Sequence, residues 1–288
     1  MKNTIFTGAG VAIITPMLQD GSVDFEGLKK LIDFQIDNGT DAIIICGTTG
    51  ESSTLSDEEH RDCIRCAVEH THNRIPVIAG TGSNDTKYAI ELSQEAQELG
   101  ADGLLLVTPY YNKCTQRGLI AHYTAIADSV DIPIILYNVP SRTGVAIDVA
   151  TVKALGQHKN IVAVKEASGN IGYTAKLAAQ CGDLVDIYSG NDDMIVPIMS
   201  LGGKGVISVL SNVMPKETHQ MTQYCLENNF AAAAKLQLEY LNLINKLFIE
   251  VNPIPVKDAL NQMGMPSGPC RMPLYEMSDE HKAALHDA

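Results

Sequence analysis

Residues 161–168 read Ile-Val-Ala-Val-Lys-Glu-Ala-Ser, four apolar positions in a row before a lysine. An unbroken apolar run of this length, without polar alternation, is the pattern of a strand covered on both faces, as in a parallel sheet. Working outward, the same pattern recurs upstream near positions 133 (PIILYNVP), 103 (GLLLVTP), 76 (PVIAGTG), 42 (AIIICG) and 11 (VAIITP), and downstream near 185 (VDIYSG) and 205 (GVISVLS). Between these runs lie helical patterns. Residues 25–38 carry Leu28, Leu31 and Ile32 along one face, and 57–70 follow Ser56 and Glu59 at capping-box spacing. Residues 84–99 open with Asn84 and end at Gly100, and 118–129 is similar. Eight strand-plus-helix units without a linker predict a (β/α)8 TIM barrel over residues 1–228, with a doubly wound open sheet as the alternative architecture. Residues 229–288 predict a C-terminal helical region. In it, 230–250 form one helix stopped by Asn252-Pro253, and short helices follow near 255–263 and 278–287.

The whole chain has 288 residues, 45% hydrophobic and 19% charged, which is enough to bury a large core without disulfides or metals. A net charge of −13 with no basic run argues against nucleic acid or an anionic membrane as partner. Seven scattered cysteines do not form a secreted disulfide framework. The start, MKNTIFTGAGVAIITP, has too short an apolar stretch for a signal peptide. A cytoplasmic location is the expectation.

In a barrel of this kind, chemistry sits where the strands end. Lys165 interrupts an apolar strand, and a lone ammonium in such a place gives up its proton more readily. Two readings stand at this point: an amine nucleophile able to form a Schiff base with a carbonyl substrate, or a lysine reaching from the strand end to Glu166. Tyr137, at the same level on the preceding strand, can move a proton through its phenol. Thr48 and Thr49, flanked by glycines, offer hydroxyls and backbone N–H groups to a small carboxylate, and Arg142 can clamp a second one. The ordinary alternatives are a core-edge tyrosine, a plain turn and a surface ion pair.

Other signals carry less. Cys63 and Cys66, with His60 and His70 nearby, sit in mid-helix, and no second cysteine pair follows; no metal site is expected. Residues 80–85, GTGSND, lack the third glycine of a dinucleotide loop, and no Walker A loop exists. Asp192 and Asp193 have the wrong sign for a phosphate site. Glu58, Glu59, Glu91 and Glu95 read as solvated helix faces, and His122, His158 and His219 as surface residues.

The segments GTTGE (47–51), TPYYNK (108–113), YNVPSRTG (137–144), VAVKEASGN (162–170) and SGND (189–192) together resemble the dihydrodipicolinate synthases. These belong to the pyruvate-dependent class I aldolase family that also contains N-acetylneuraminate lyase, and the likeness runs along essentially the whole chain. It implies that Lys165 forms the Schiff base with pyruvate. It makes Tyr137 the general acid and base, relayed through Thr48 and through a Tyr111 supplied by a neighbouring chain. It also implies that Thr49, Ile207 and Gly190 hold the substrate. Arg142, in a context that fits the synthases rather than the sugar-acid lyases, would meet the carboxylate of L-aspartate 4-semialdehyde. No cofactor is implied, and a homotetramer is. Some members of the family bind lysine as inhibitor at a subunit contact. The matching positions are Ser52, Ser53, Asp57, His60, Asn84, Tyr88 and Tyr110. The lysine-sensitive pattern has His at the place of Asp57 and a carboxylate at the place of Tyr88, so weak or absent inhibition is expected. Rival expectations are a sugar-acid aldolase of the same family and a non-catalytic barrel that binds small acids.

Overall fold

The computed structural model describes residues 4–288. Eight parallel strands close into a barrel in chain order: β1 (Gly8–Ala12), β2 (Ala42–Ile45), β3 (Val77–Gly80), β4 (Gly103–Val107), β5 (Ile134–Asn138), β6 (Ile161–Glu166), β7 (Asp186–Ser189) and β8 (Gly205–Ser208). Closure comes from β8 pairing with β1, Gly8 opposite Gly205 through Val11 opposite Ser208. A Cβ at Gly205 would fall on the carbonyl oxygen of Gly8, so only glycine lets the two strands meet there. The closed barrel settles the architecture against the open-sheet alternative.

Side chains alternate between two layers. Ile134, Leu136 and Val164 face outward into the shell shared with the helices. Ile135, Tyr137 and Ala163 face the barrel interior with Ile44, Ile78, Leu105 and Ile207. At the floor, Phe6 stacks on Tyr188, 4.4 Å between ring centroids, and the Tyr188 hydroxyl donates to the Phe6 carbonyl at 2.6 Å. Lys165 follows Ala163 by two positions on β6 and therefore points inward, at the open end of the barrel.

Three local expectations shift. The first strand starts at Gly8, three residues before the expected run, because Gly8–Gly10 pair with β8. The third helix opens at Thr86, with Asp85 as N-cap accepting from the Lys87 and Tyr88 N–H groups, while Asn84 donates its side chain to the Tyr110 carbonyl instead. The single helix expected over 230–250 is two, Phe230–Glu239 and Leu241–Lys246, divided at Tyr240 where φ −92° and ψ 3° leave the helical basin. The helix Asp57–Thr71 has the capping box read from Ser56 and Glu59.

The helix Phe230–Glu239 packs on the flank of the barrel against Ile195–Ser200 and Pro215–Leu226, while the helix Ile254–Gln262 reaches the loops at the strand ends. Lys257, in the helix Ile254–Gln262, donates to Glu51 at 2.7 Å and to the carbonyls of Thr15 and Pro269 at 3.2 and 2.6 Å. Arg271 grips Glu59 and donates to the carbonyls of Gly21 and Thr54. Both anchors fasten the late part of the chain to the loops that follow β1 and β2.

Candidate active site

Tyr137 and Lys165 are register partners across β5 and β6. The Lys165 Nζ lies 4.2 Å above the centre of the Tyr137 ring and, among the described residues, makes no hydrogen bond or ion pair. Burial drives its pKa down to about 7, with the nearby Arg142 pushing the same way and Asp192 opposing. The alternative partner, Glu166, faces away: it accepts from the Asn138 side chain and the Ser168 N–H, each at 2.7 Å. Burial pushes the Tyr137 phenol up, while Arg142 and the Thr48 hydroxyl beside it work in the other direction.

Thr49 is buried, and its Oγ1 accepts from the Asn252 side-chain amide at 3.0 Å. Arg142, in the short helix Pro140–Thr143, donates to the Asn252 carbonyl at 3.2 Å. Asn252 thus ties the threonine turn after β2 to the arginine after β5. Gly190 packs directly on the lysine: a Cβ there would stand 3.1 Å from Lys165 Cγ and Cε. Ile207 lies on the interior face of β8, buried. A cavity of about 520 Å³ runs from Tyr137, Arg142 and Thr48 outward to Ser53, His60, Tyr88 and Tyr110.

Tyr111 is not brought to Tyr137 within this chain. It sits in the loop after β4 at φ +68° and is 92% exposed. Around the outer end of the cavity, the ring nitrogen Nε2 of His60 lies 2.9 Å from the Gly80 carbonyl oxygen. Burial lowers the pKa of His60. Tyr88 donates to Asp57 at 2.5 Å, and burial together with that carboxylate pushes its phenol up to about 12. Ser53 belongs to the turn Ser52–Thr54.

Two residues at the mouth escaped the sequence reading. Asn252 registered only as part of a helix stop, and Asp192 as the last residue of the SGND motif and a charge unsuited to phosphate, with no role of its own. Nothing local to either position signals its role, because their neighbours arrive from distant parts of the chain. Some surface assignments also change. His122 is buried, its Nδ1 2.9 Å from the Thr86 hydroxyl, because the preceding helix covers it. His158 and His219 pair with Asp128 and Asp41. Glu59 is held by Arg271 and the Ser56 N–H, and those donors lower its pKa to about 2. Glu95 pairs with Arg61 at 2.9 Å. Cys63 is buried, Cys66 is half-buried with its thiol pushed up to about 11 by burial, and His70 pairs with Asp33. Among the described residues, no three His, Cys, Asp or Glu side chains are arranged to hold a metal ion.

A sequence model of the dihydrodipicolinate synthetase family matches residues 5–288. A 4-hydroxy-tetrahydrodipicolinate synthase of Lachnoclostridium phytofermentans is 62% identical over 284 residues, covering 98% of this chain and 97% of that protein. The enzyme of the same name from Acetivibrio thermocellus is 55% identical over 281 residues, covering 98% and 95%. Among solved structures, dihydrodipicolinate synthase from Aquifex aeolicus superposes with a TM-score of 0.96 at 49% identity, covering 98% of this chain and 96% of that one. The chloride-inhibited dihydrodipicolinate synthase from Acinetobacter baumannii, complexed with pyruvate, gives 0.97 at 45%, covering 99% and 97%.

Proposed function

The chain belongs to the dihydrodipicolinate synthetase family, and on that premise we propose how its barrel mouth performs the reaction. The activity is that of a 4-hydroxy-tetrahydrodipicolinate synthase, a Schiff-base lyase that condenses pyruvate with L-aspartate 4-semialdehyde.

Lys165 is the nucleophile. With a pKa of about 7, a large share of its amine is unprotonated at neutral pH, where an ordinary lysine has almost none. The amine attacks the pyruvate carbonyl carbon, water leaves, and the resulting iminium acts as electron sink. Loss of a methyl proton gives the enamine, whose carbon adds to the aldehyde of the second substrate. That substrate's own amine then attacks the imine carbon and expels Lys165, closing the ring; one water is lost overall. Tyr137, beside the reacting nitrogen, exchanges the protons of these steps, with Thr48 as its relay.

Thr49 receives the pyruvate carboxylate. Because its oxygen accepts from Asn252, its own hydroxyl proton is free to point at that carboxylate. Ile207 and Gly190 shape the pyruvate pocket, and Arg142 meets the carboxylate of the semialdehyde. Tyr111 completes the relay from a neighbouring chain within a homotetramer, a role supported by its exposure on a loop beside the cavity. Residues 1–228 form the catalytic barrel and 229–288 its helical cover. The enzyme works in the cytoplasm without metal or organic cofactor, and the acidic chain binds neither nucleic acid nor membrane. No helix of the described residues is long and apolar enough to cross a membrane.

The observation that carries this reading is a buried lysine amine without a bonded partner, in register with a tyrosine at the strand ends. Cyanoborohydride reduction with pyruvate, followed by peptide mass spectrometry, tests it. A pyruvate-dependent adduct on Lys165 is expected; folded protein without an adduct at saturating pyruvate overturns the mechanism.

A further inference from the structure

Three groups that carry charge or a proton bear on the Lys165 nitrogen: Tyr137 from β5, whose ring lies beneath it, Arg142 from the turn after β5, and Asp192 from the turn after β7, two positions beyond the Gly190 that packs on the lysine stem. Asp192 is the negative one. Its side chain is 3% exposed and firmly fixed. Oδ2 accepts the backbone N–H groups of Val209 and Leu210 at 3.1 and 2.9 Å, and the Ser208 hydroxyl lies beside the carboxylate. Oδ1 is buried and, among the described residues, has no hydrogen-bond donor. Burial pushes this carboxyl up, while the Ser208 hydroxyl, the Leu210 and Val209 N–H groups and Lys165 itself favour its charged form, so its negative charge rests on those partners. Asp192 and Lys165 form no ion pair, so the carboxylate acts on the lysine through space and does not lock its proton in place.

We propose that Asp192 is the fixed counter-charge of the reacting nitrogen, holding the iminium in balance while leaving the free amine unbonded. This rests on Lys165 being the Schiff-base residue. During turnover the nitrogen alternates between neutral amine and cation while the carboxylate, tied by two backbone donors, stays where it is. Electrostatic stabilisation is most effective when such a partner need not reorganise. Asp192 is a positioning residue, acting on the substrate only through Lys165.

An electrostatic partner leaves a signature that packing does not. Removing the charge lowers the proton affinity of the amine and the stability of the iminium together. Above the amine's pKa, adduct formation converts a neutral nitrogen into a cation and feels the loss. Below it, one cation replaces another and the loss cancels. The test measures the pyruvate concentration giving half-maximal cyanoborohydride-trapped Lys165 adduct, as a function of pH, in wild type and Asp192→Asn. The asparagine oxygen can still accept from Val209 and Leu210.

In the variant, the break in the profile should move from about 7 downward by about one unit. Half-saturation should rise about tenfold on the alkaline side and stay unchanged on the acid side. An unchanged profile, or an equal loss at every pH, overturns the proposal. Ser208→Ala, which keeps the carboxylate and both backbone donors, covers the case in which Asp192→Asn does not fold. A smaller shift in the opposite direction is expected, because the carboxylate loses a donor that damps its potential, and an unshifted profile overturns the proposal. Absence of any adduct in the wild type would instead overturn the Schiff-base reading itself.

Discussion

Lys165 and Lys257 are both almost out of water, 6% and 1% exposed, yet the fold treats them in opposite ways. Lys257 spends its three protons on Glu51, Thr15 and Pro269 and is a structural clamp between the helical cover and the barrel. Lys165 has an aromatic face beneath it, a glycine against its stem and no bonded acceptor. The difference shows that burial alone does not make a lysine reactive. The Lys257 donors all find acceptors, whereas Lys165 has none among the described residues, and burial of a bare amine lowers its hold on the proton.

The largest expected effect comes from Lys165→Met. Turnover and the trapped adduct should both vanish, a loss of about 10⁴-fold or more in kcat. The same variant should unfold less readily. The native amine's pKa is depressed to about 7 from the ordinary 10.5. Below pH 7 both the native and the unfolded lysine are protonated, and the native state bears the whole cost of burying the charge. Between 7 and 10.5 the unfolded chain binds more protons, so wild-type stability rises with pH through that window. The advantage of methionine in urea unfolding, on the order of a few kcal/mol near pH 6, should therefore shrink towards pH 10. A pH-independent difference would break the contrast between the two lysines.

Lys257→Met sharpens the comparison from the other side. Removing this cation leaves the Glu51 carboxylate buried and uncompensated, and a loss of about 3–5 kcal/mol in urea unfolding is expected. Adding Glu51→Gln should recover part of it. A loss below about 1 kcal/mol would mean that the clamp is no more than a surface ion pair.

The smallest effect is expected at the outer end of the cavity. There Asp57 accepts from Tyr88, so the place of an additional carboxylate is taken by a phenol whose proton is already engaged. An inhibitor ammonium finds no second negative charge at Tyr88, and micromolar lysine should leave the steady-state rate unchanged. Half-maximal inhibition in that range would show that the remaining groups, His60, Asn84 and Tyr110 among them, suffice.

Much of the molecule was readable along the chain. Eight apolar runs separated by amphipathic segments predict the strands and most helices, because backbone preference and two-sided burial leave their mark on consecutive residues. The inward direction of Tyr137 and Lys165 follows from the two-residue period of a strand. The family motifs lie in the loops just beyond those strands, which is why candidate residues for the mouth could be put forward one by one.

What escaped lies where the chain folds back on itself. Lys257, in the stretch IPVKDAL, has the pattern of a solvent-facing helix residue; its burial depends on Glu51, 206 positions away. Asn252 looks like a helix stop until Thr49 and Arg142 arrive beside it, and His122 and Glu59 look solvated until Thr86 and Arg271 cover them. The sequence by itself determined the barrel, its strand order and the inward lysine, since these rest on local periodicity. Only the tertiary structure decided which buried charges are satisfied and which are left bare, because solvation and Coulomb energy depend on every atom within a few ångströms, and most of those atoms come from elsewhere in the chain.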